Sequence, residues 1–169
     1  MEYKENVEAD EYYRLFSSWR EVMDDELAFQ QFLYEQIPIT KKMRFEVIKF
    51  NPSSVKMLAR LEPNFNHKCT AFAGSINSLM TLCGWGVVFA SVKEFAPNSH
   101  IVIQRSNIEY LLPIEKDFVA ECNVDDKQDI EKLRLTFNKF NRARIKLNVY
   151  CKDENKLLSK FEGQYVVFK

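Results

Sequence analysis

Apolar side chains recur at two different spacings along this chain, and each spacing predicts a different kind of element. In residues 24–37 they lie three or four positions apart, which is typical of one face of a helix. Asp24 or Asp25 can cap that helix at its start, and Pro38 stops it. The apolar positions of this predicted helix are Phe29, Phe32, Leu33 and Ile37.

The spacing then falls to two, which indicates strands with one buried face. Apolar residues alternate with charged residues over positions 43–47 and again over positions 55–61. Between the two runs, the sequence Asn51-Pro52-Ser53-Ser54 is typical of a turn. The runs therefore predict a hairpin, and the buried face of its first strand would carry Met43, Phe45 and Val47.

The segment from Ala71 to Val92 has no charged residue and is long enough to cross a bilayer. Serine, threonine, asparagine and glycine interrupt it, however, and strand-like segments lie on both sides. A helix that is apolar all round can also form the buried centre of a soluble domain. We therefore predict a central helix from about Ala71 to the Val88–Ala90 region, and no membrane association.

A second set of elements follows the central helix. Asp125 or Asp126 can begin an amphipathic helix, with an apolar stripe at Ile130, Leu133, Phe137 and Phe140. Alternation predicts four strands around it, at residues 100–112, 118–124, 143–151 and 157–168. An all-apolar helix among antiparallel strands is buried only if their sheet curves around it. The predicted fold is therefore α+β, with about six strands in one curved antiparallel sheet around a long central helix.

Length places this pattern in one domain. A chain of 169 residues fits one domain, which we assign to residues 24–169. Residues 1–23 precede it as an extension that we expect to be helical. This extension carries many acidic residues and the aromatic residues Tyr12, Tyr13, Phe16 and Trp19.

Charge and cysteine usage exclude several classes of function. The 24 Lys and Arg residues balance the 24 Asp and Glu residues, whereas nucleic-acid binding needs a clustered basic surface. The four cysteines lie far apart without a C-x-x-C pair, and there are two histidines, so we predict no metal site. The acidic start of the chain does not fit a secretory signal. Reduced thiols and the cytoplasm are the expected setting.

Several short motifs are more specific than this general pattern. They are residues 63–75 (PNFNHKCTAFAGS), Gly84-Trp85-Gly86, residues 107–113 (NIEYLLP), Arg142-Ala143-Arg144 and residues 161–166 (FEGQYV). From about Ile37 to the C-terminus, the chain resembles the thioesterase-like family named after the YiiD C-terminal domain. The resemblance implies a hotdog fold, in which a curved antiparallel sheet wraps the central helix. It also implies a homodimer or a dimer of dimers, joined along sheet edges, with sites for acyl-CoA or acyl-carrier thioesters at the interface. Coenzyme A would be part of the substrate, and no separate cofactor is expected.

The start of the central helix carries the predicted chemistry. In the wider hotdog thioesterases, a loop Asn precedes a His-Gly-Gly that opens this helix; Asn66 matches the Asn, and Phe72-Ala73-Gly74 matches the His-Gly-Gly. The resemblance implies that the Ala73 and Gly74 N–H groups bind the thioester carbonyl, because helix N-termini offer unpaired donors. Phe72 and Ser75 would then lie beside the substrate. The alternative is that the small side chains only allow close packing of the helix.

Three neighbouring residues could take part in catalysis. Asn66 could hold the attacking water, or it could form an Asx turn in its loop. His67 could be a general base, since imidazole titrates near neutrality, or it could be an exposed loop histidine. Related enzymes carry Asp or Glu two helical turns beyond Gly74, and here that position is Thr81, whose hydroxyl is a poor base by itself.

Residues of the later motifs are candidates for substrate binding. Arg142 and Arg144 could meet the phosphates of coenzyme A, or they could lie on a solvated strand edge. Asn107 is a further candidate, and Glu109 could reach in from a partner subunit or be solvated. Two functions stay open: hydrolysis of an acyl thioester, and binding of it without catalysis, which the lack of a helix carboxylate favours. A hydratase or dehydratase is disfavoured because His67 has no acidic partner on the helix.

Overall fold

The computed structural model describes residues 25–154 and 156–169, so the predicted helical extension of residues 1–23 lies outside the described residues. Helix α1 spans Glu26–Gln36 and is followed by the single turn α2, Ile39–Lys42. Asp25 caps α1, because its carboxylate accepts the N–H of Leu27 at 2.7 Å. The buried face of α1 carries Phe29, Phe32 and Leu33, three of the four predicted apolar positions.

Six strands of the described chain form one antiparallel sheet in the order β1-β2-β4-β5-β6-β3. Their bounds are β1 Phe45–Asn51, β2 Ser54–Ala59, β3 His100–Tyr110, β4 Phe118–Asn123, β5 Arg142–Asp153 and β6 Lys156–Phe168. The sheet curves around a long apolar helix. The predicted α+β architecture is therefore confirmed.

The first hairpin differs from simple alternation. Strand β1 begins at Phe45, and its pairing with β2 shifts register between Val47 and Lys49. This bulge turns Ile48 outward, where it is 47% exposed, and the next fully buried side chain is Phe50. The predicted buried row therefore holds at Phe45 and is interrupted after Val47.

The central helix, α3, spans Ala73–Val92 and lies against the concave face of the sheet. It starts two residues later than predicted, because Phe72 is still extended, with φ −67° and ψ 130°, and its N–H donates to the carbonyl of Asn64 at 2.7 Å. Among the described residues, α3 is the one helix long and apolar enough to cross a membrane, with a mean hydropathy of 1.4. In this fold 72% of that apolar window is buried, as in the core helix of a soluble domain.

Tyr165 of β6 inserts between two glycines and fixes α3 on the sheet. Its hydroxyl donates to the carbonyl of Thr81 at 2.9 Å. A Cβ at Gly84 would lie 2.3 Å from the Tyr165 hydroxyl, and one at Gly163 would lie 2.9 Å from its ring. Both positions therefore need glycine for close approach.

Helix α4, Lys127–Phe140, packs along β5. The carboxylate of Asp126 caps it by accepting the N–H of Gln128 at 2.8 Å, and it ends at Asn141 in a left-handed conformation. Leu133 and Phe137 are buried, but Phe140 is 62% exposed. The predicted apolar stripe therefore stops one turn early.

One edge of the sheet is covered by a helix, and the other is open. Helix α1 covers the β1 edge: Gln30 Oε1 accepts the N–H of Val47 at 2.8 Å, and the Tyr34 hydroxyl donates to the carbonyl of Phe45 at 2.8 Å. Strand β3 forms the opposite edge, and within the described chain no further strand pairs with it. Most of its 11 residues are exposed. The sheet thus has one protected edge and one open edge.

Candidate functional site

A tightly anchored loop leads into the central helix. The buried side chain of Asn64 donates to the carbonyls of Met43 and Arg60, each at 2.7 Å. The backbone carbonyl of Asn64 accepts the N–H of Phe72 at 2.7 Å. These bonds fix the point at which α3 begins, so its first turn is held before any ligand binds.

The N-terminus of α3 has no capping side chain. Phe72 occupies the N-cap position, and the first N–H that reaches a backbone acceptor is that of Ile76, on the Phe72 carbonyl at 3.1 Å. Within the described residues, the N–H groups of Ala73, Gly74 and Ser75 have no hydrogen-bond acceptor. Ala73 is exposed, Gly74 is half-buried and Ser75 is buried. Unpaired donors at the positive end of a long helix can stabilise a developing oxyanion.

Gly74 lets an aromatic ring lie across this first turn. A Cβ at Gly74 would be 2.3 Å from Cε1 of Phe72, whose side chain is 53% exposed. The ring of Phe72 therefore stands beside the unpaired N–H groups, in the position where the matched motif of related enzymes has histidine.

A cavity of about 290 Å³ opens at the same helix end. Its lining includes Asn66, Ala73, Ile76, Tyr110, Leu112 and Ile114. The hydroxyl of Tyr110 donates to the Ala73 carbonyl at 3.1 Å, and partial burial raises the pKa of Tyr110. No role for Tyr110 was predicted from the sequence. Strand alternation could have indicated that Tyr110 faces the helix, because Tyr110 lies on the same inner face of β3 as the half-buried Ile108.

Asn66 lines this cavity, but its side chain is engaged in its own loop. Its Oδ1 accepts the N–H of Lys68 at 2.8 Å and that of Thr70 at 3.4 Å, which is the geometry of an Asx turn. Its Nδ2 donates to the Thr70 hydroxyl at 2.9 Å. His67 is exposed in the same turn. Catalytic roles for Asn66 and His67 stay predictions.

The half-buried side of α3 beyond its first turn carries the polar residues Asn77, Ser78 and Thr81. Thr81 is half-buried and lies eight residues, about 12 Å, along the axis from Ala73. Asn77 lies midway, also half-buried, and its Oδ1 is shielded from solvent without a hydrogen-bond partner in the described chain. No role for Asn77 was predicted from the sequence. Asn77 is four residues from both Ala73 and Thr81, and residues at this spacing share one face of a helix, so the sequence could have indicated it.

The remaining candidates lie on the strands of the sheet. Asn107 is on the outer face of β3, and Glu109 on the same face pairs with Lys160 at 2.9 Å. Strand register places Arg142 nine residues, about 30 Å, along β5 from the row that contains Tyr110. Arg144 is exposed near the same far end, and its Nε donates to Gln104 at 3.2 Å. The single chain therefore does not bring Arg142 and Arg144 to the helix N-terminus.

A second cavity of about 600 Å³ lies on the other side of the loop. Its lining is Leu61, Glu62, Phe65, Cys69, Lys116 and Asp117. Lys116 is paired with Asp153 at 2.8 Å, and Asp117 with Arg60 at 3.0 Å. The charges at this rim are thus largely neutralised, and apolar side chains dominate its interior.

The four cysteines differ in exposure. Cys69 is exposed, whereas Cys83, Cys122 and Cys151 are buried. Burial raises the pKa of Cys122 and of Cys151 to about 12, and that of Cys83 well above its ordinary value. The buried thiols stay protonated at neutral pH and behave as small apolar side chains.

An antiparallel sheet curved around one apolar helix, with unpaired N–H groups opening on a cavity, defines a thioesterase-like protein of the hotdog fold. The family model described as "Putative thioesterase (yiiD_Cterm)" matches residues 26–169, and the chain belongs to this family. The resemblance seen in the sequence is therefore confirmed.

Solved structures agree with this assignment. A protein of unknown function from Chlorobaculum tepidum is 28% identical with a TM-score of 0.77, over 82% of this chain and 91% of its own. A "putative thioesterase from Shewanella oneidensis" is 27% identical with a TM-score of 0.70, over 93% and 99% respectively. A Pseudomonas aeruginosa protein with a TM-score of 0.74 is 18% identical, over 87% and 98%, and shares the fold.

Proposed function

We propose that this protein hydrolyses an acyl thioester, carried by coenzyme A or by an acyl-carrier protein, at the N-terminus of α3. The observation that carries the proposal is the set of unpaired N–H groups at Ala73, Gly74 and Ser75 beside a cavity, in a chain of a thioesterase-like family. Such donors are the group that thioester hydrolysis needs most from the protein.

The chemistry follows from the charges that develop. The thioester carbonyl oxygen accepts from the Ala73 and Gly74 N–H groups and becomes negative as water attacks the carbonyl carbon. The carbon–sulfur bond then breaks, and the departing thiolate takes a proton from the attacking water. A thiol with a pKa of about 8.5 leaves without a strong general acid. The helix end therefore supplies the main stabilisation, and each donor is worth about 100-fold or more in turnover.

Binding without catalysis is the second candidate, and one observation favours it. The position that carries a carboxylate in related enzymes is Thr81, and α3 has no Asp or Glu along its whole length. The same cavity and N–H groups would then hold the thioester intact.

We propose a homodimer formed by the open β3 edges. The β1 edge is covered by α1, whereas β3 exposes a long row with the apolar side chains of Val102 and Ile103. Antiparallel pairing of two β3 strands would bring the Arg144 end of one sheet beside the Tyr110 end of the other. Arg144 would then lie three strand spacings, about 14 Å, from the partner strand, which keeps Arg142 and Arg144 as candidates for the phosphates of coenzyme A.

Thiol release from a panel of acyl-CoA esters of increasing chain length tests hydrolysis directly. The exposed thiol of Cys69 would react with a thiol reagent, so the assay uses Cys69→Ser with wild-type protein as the reference. Turnover supports the hydrolase. Saturable binding of acyl-CoA without thiol release supports the binding module, and neither binding nor release contradicts both.

A further inference from the structure

The larger of the two cavities, which we call the loop cavity, has the size and lining of a small-molecule site. Its volume of about 600 Å³ lies within the range of roughly 300–1,000 Å³ that is typical of ligand pockets. Leu61, Phe65 and Cys69 form its apolar wall. The Phe65 side chain is 58% exposed, so an occupant would cover an aromatic ring that the described residues leave in contact with solvent.

The charged side chains of the lining are already paired with opposite charges. The pairs are Glu62–Arg44, Lys116–Asp153 at 2.8 Å and Asp117–Arg60 at 3.0 Å. A phosphate group would have to break the pair of Lys116 to reach its ammonium group. The amides of a pantetheine arm would lose their hydrogen bonds to water in an apolar interior, which costs free energy. The loop cavity therefore suits a neutral apolar chain better than coenzyme A itself.

The wall of the loop cavity is held in place before any ligand binds. Asp117 accepts the N–H of Leu61 at 2.8 Å, which ties the loop to the residue before β4. Arg60 donates to Asp117 at 3.0 Å and to Glu46 of β1 at 2.9 Å. Because the pocket is formed in advance, a ligand that enters it loses little free energy to the ordering of the protein.

The loop cavity lies one strand spacing from the cavity at the start of α3. Phe65 lines the loop cavity and pairs with Ala71, which lines the other cavity, so their Cα atoms are about 5 Å apart. On the facing loop, Ile114 lines the cavity at the helix start and Lys116, two residues further on, lines the loop cavity. A ligand whose carbonyl is held by the first N–H groups of α3 is therefore close enough to extend a chain into the loop cavity.

We propose that the loop cavity binds the acyl chain of the thioester, and that the substrates are uncharged acyl groups of medium to long chain length. The inference rests on the proposed function, because the thioester carbonyl fixes where the chain begins. Each buried CH2 group strengthens binding about fourfold. The KM for acyl-CoA should therefore fall about fourfold for each added carbon atom, from the length at which the chain reaches the cavity until the cavity is full. Such uniform binding leaves kcat unchanged.

Cys69 allows the loop cavity to be filled without a mutation. Cys69 is exposed and lines the cavity, whereas the other three cysteines are buried, so a bulky maleimide should label Cys69 alone in the folded protein at neutral pH. The label should raise the KM for long-chain acyl-CoA by about 16-fold or more, since exclusion of two CH2 groups already has that effect. The KM for short-chain acyl-CoA should not change. Loss of the thioester absorbance measures the rates without a thiol reagent.

The matched control moves the label by one residue. Lys68 is exposed and lies outside the lining of the loop cavity. Lys68→Cys in a Cys69→Ser protein therefore carries the same label on the same loop without filling the cavity. Each protein is compared with its own unlabelled form, and the label at position 68 should leave KM unchanged for short and long chains alike.

Protection of Cys69 from the maleimide measures binding in the absence of catalysis. Acyl-CoA esters should slow the labelling of the wild-type protein, and the concentration needed should fall about fourfold for each added carbon atom. Coenzyme A alone should give no protection.

The outcomes separate the acyl site from the proposed function. Hydrolysis whose KM for long chains is unchanged by the Cys69 label would overturn the acyl site alone. An equal effect of the label at position 68 would also overturn it, because the loss would then come from the loop and not from the cavity. Protection by coenzyme A alone would assign the loop cavity to the pantetheine arm. Protection that depends on chain length, without hydrolysis, would support the acyl site and contradict the hydrolase, and absence of both would overturn the two proposals together.

Discussion

Ala73→Pro separates the chemistry of the helix N-terminus from its stability. Proline lacks the N–H group and is favoured at the first helical position, which Ala73 occupies. A residue before proline must be extended, and Phe72 already has φ −67° and ψ 130°. The Ala73 N–H has no acceptor in the described chain. The substitution therefore deletes one donor of the proposed oxyanion site without breaking an internal hydrogen bond.

Ala73→Pro should lower turnover but should not lower stability. Loss of one oxyanion donor costs about 3 kcal/mol of transition-state stabilisation, so kcat should fall roughly 100-fold or more. Stability should not fall, because proline restricts the unfolded chain and contributes about 0.4–1 kcal/mol at a compatible position. In a chain of this size, the melting temperature would rise by roughly 1–4 °C.

Steady-state thiol release and thermal unfolding followed by circular dichroism measure the two effects. Ala73→Ser is the control, since it keeps the N–H and should retain turnover. Full turnover by a stable Ala73→Pro protein would refute the assignment of the thioester carbonyl to this N–H. A lower melting temperature would show instead that the N–H has an acceptor in the assembled protein.

Four further predictions concern the core, the edge and the thiols. Gly84→Ala should lower the unfolding free energy by about 3 kcal/mol, because its Cβ would clash with the Tyr165 hydroxyl, and the melting temperature should fall by roughly 6–12 °C. Tyr165→Phe should recover part of this loss. A Gly84→Ala protein with an unchanged melting temperature would contradict this packing. Ile103→Lys on the open edge should shift the protein toward monomer in sedimentation at micromolar concentration, and an unchanged dimer would place the interface elsewhere. At pH 8 an alkylating reagent should modify Cys69 alone, and four thiols in denaturant. Burial raises the pKa of Cys122 in the folded state to about 12, so its contribution to the unfolding free energy should be constant below the ordinary thiol pKa and fall by about 1.4 kcal/mol per pH unit above it. The buried thiols Cys83 and Cys151 add to this slope, and Cys122→Ser should reduce it by the share of one thiol.

The sequence was sufficient for features that depend on local pattern. The strands with strict alternation, above all β5, and the long apolar helix were predictable because period and composition decide which face is buried. The bulge after Val47 was not predictable, since it depends on how β1 pairs with β2. The start of α3 was not predictable either, since it depends on the extended Phe72, whose N–H bonds to the carbonyl of Asn64 only in the folded loop.

The candidate site shows the same division. The motif around Ala73 and Gly74 predicted a helix N-terminus, and the structure shows it uncapped. Residue types do not show which hydrogen-bond partner each side chain has. The bonds of Asn66 within its loop and the unpaired oxygen of Asn77 were therefore seen only in the structure. The separation of Arg142 from the helix N-terminus depends on strand register, which a single sequence does not define.

The covering of the β1 edge by Gln30 and Tyr34 has a consequence for the number of copies that can associate. A sheet with two free edges could add copies at both ends and grow into an open-ended filament. With β1 closed by its own helix, growth by backbone pairing of the proposed β3 edges would stop after one addition, and the proposed dimer would be closed by a two-fold axis. Any tetramer would then have to form through side-chain contacts on the faces of the sheets or helices. Removing the side chains of Gln30 and Tyr34 together should therefore promote the formation of fibres.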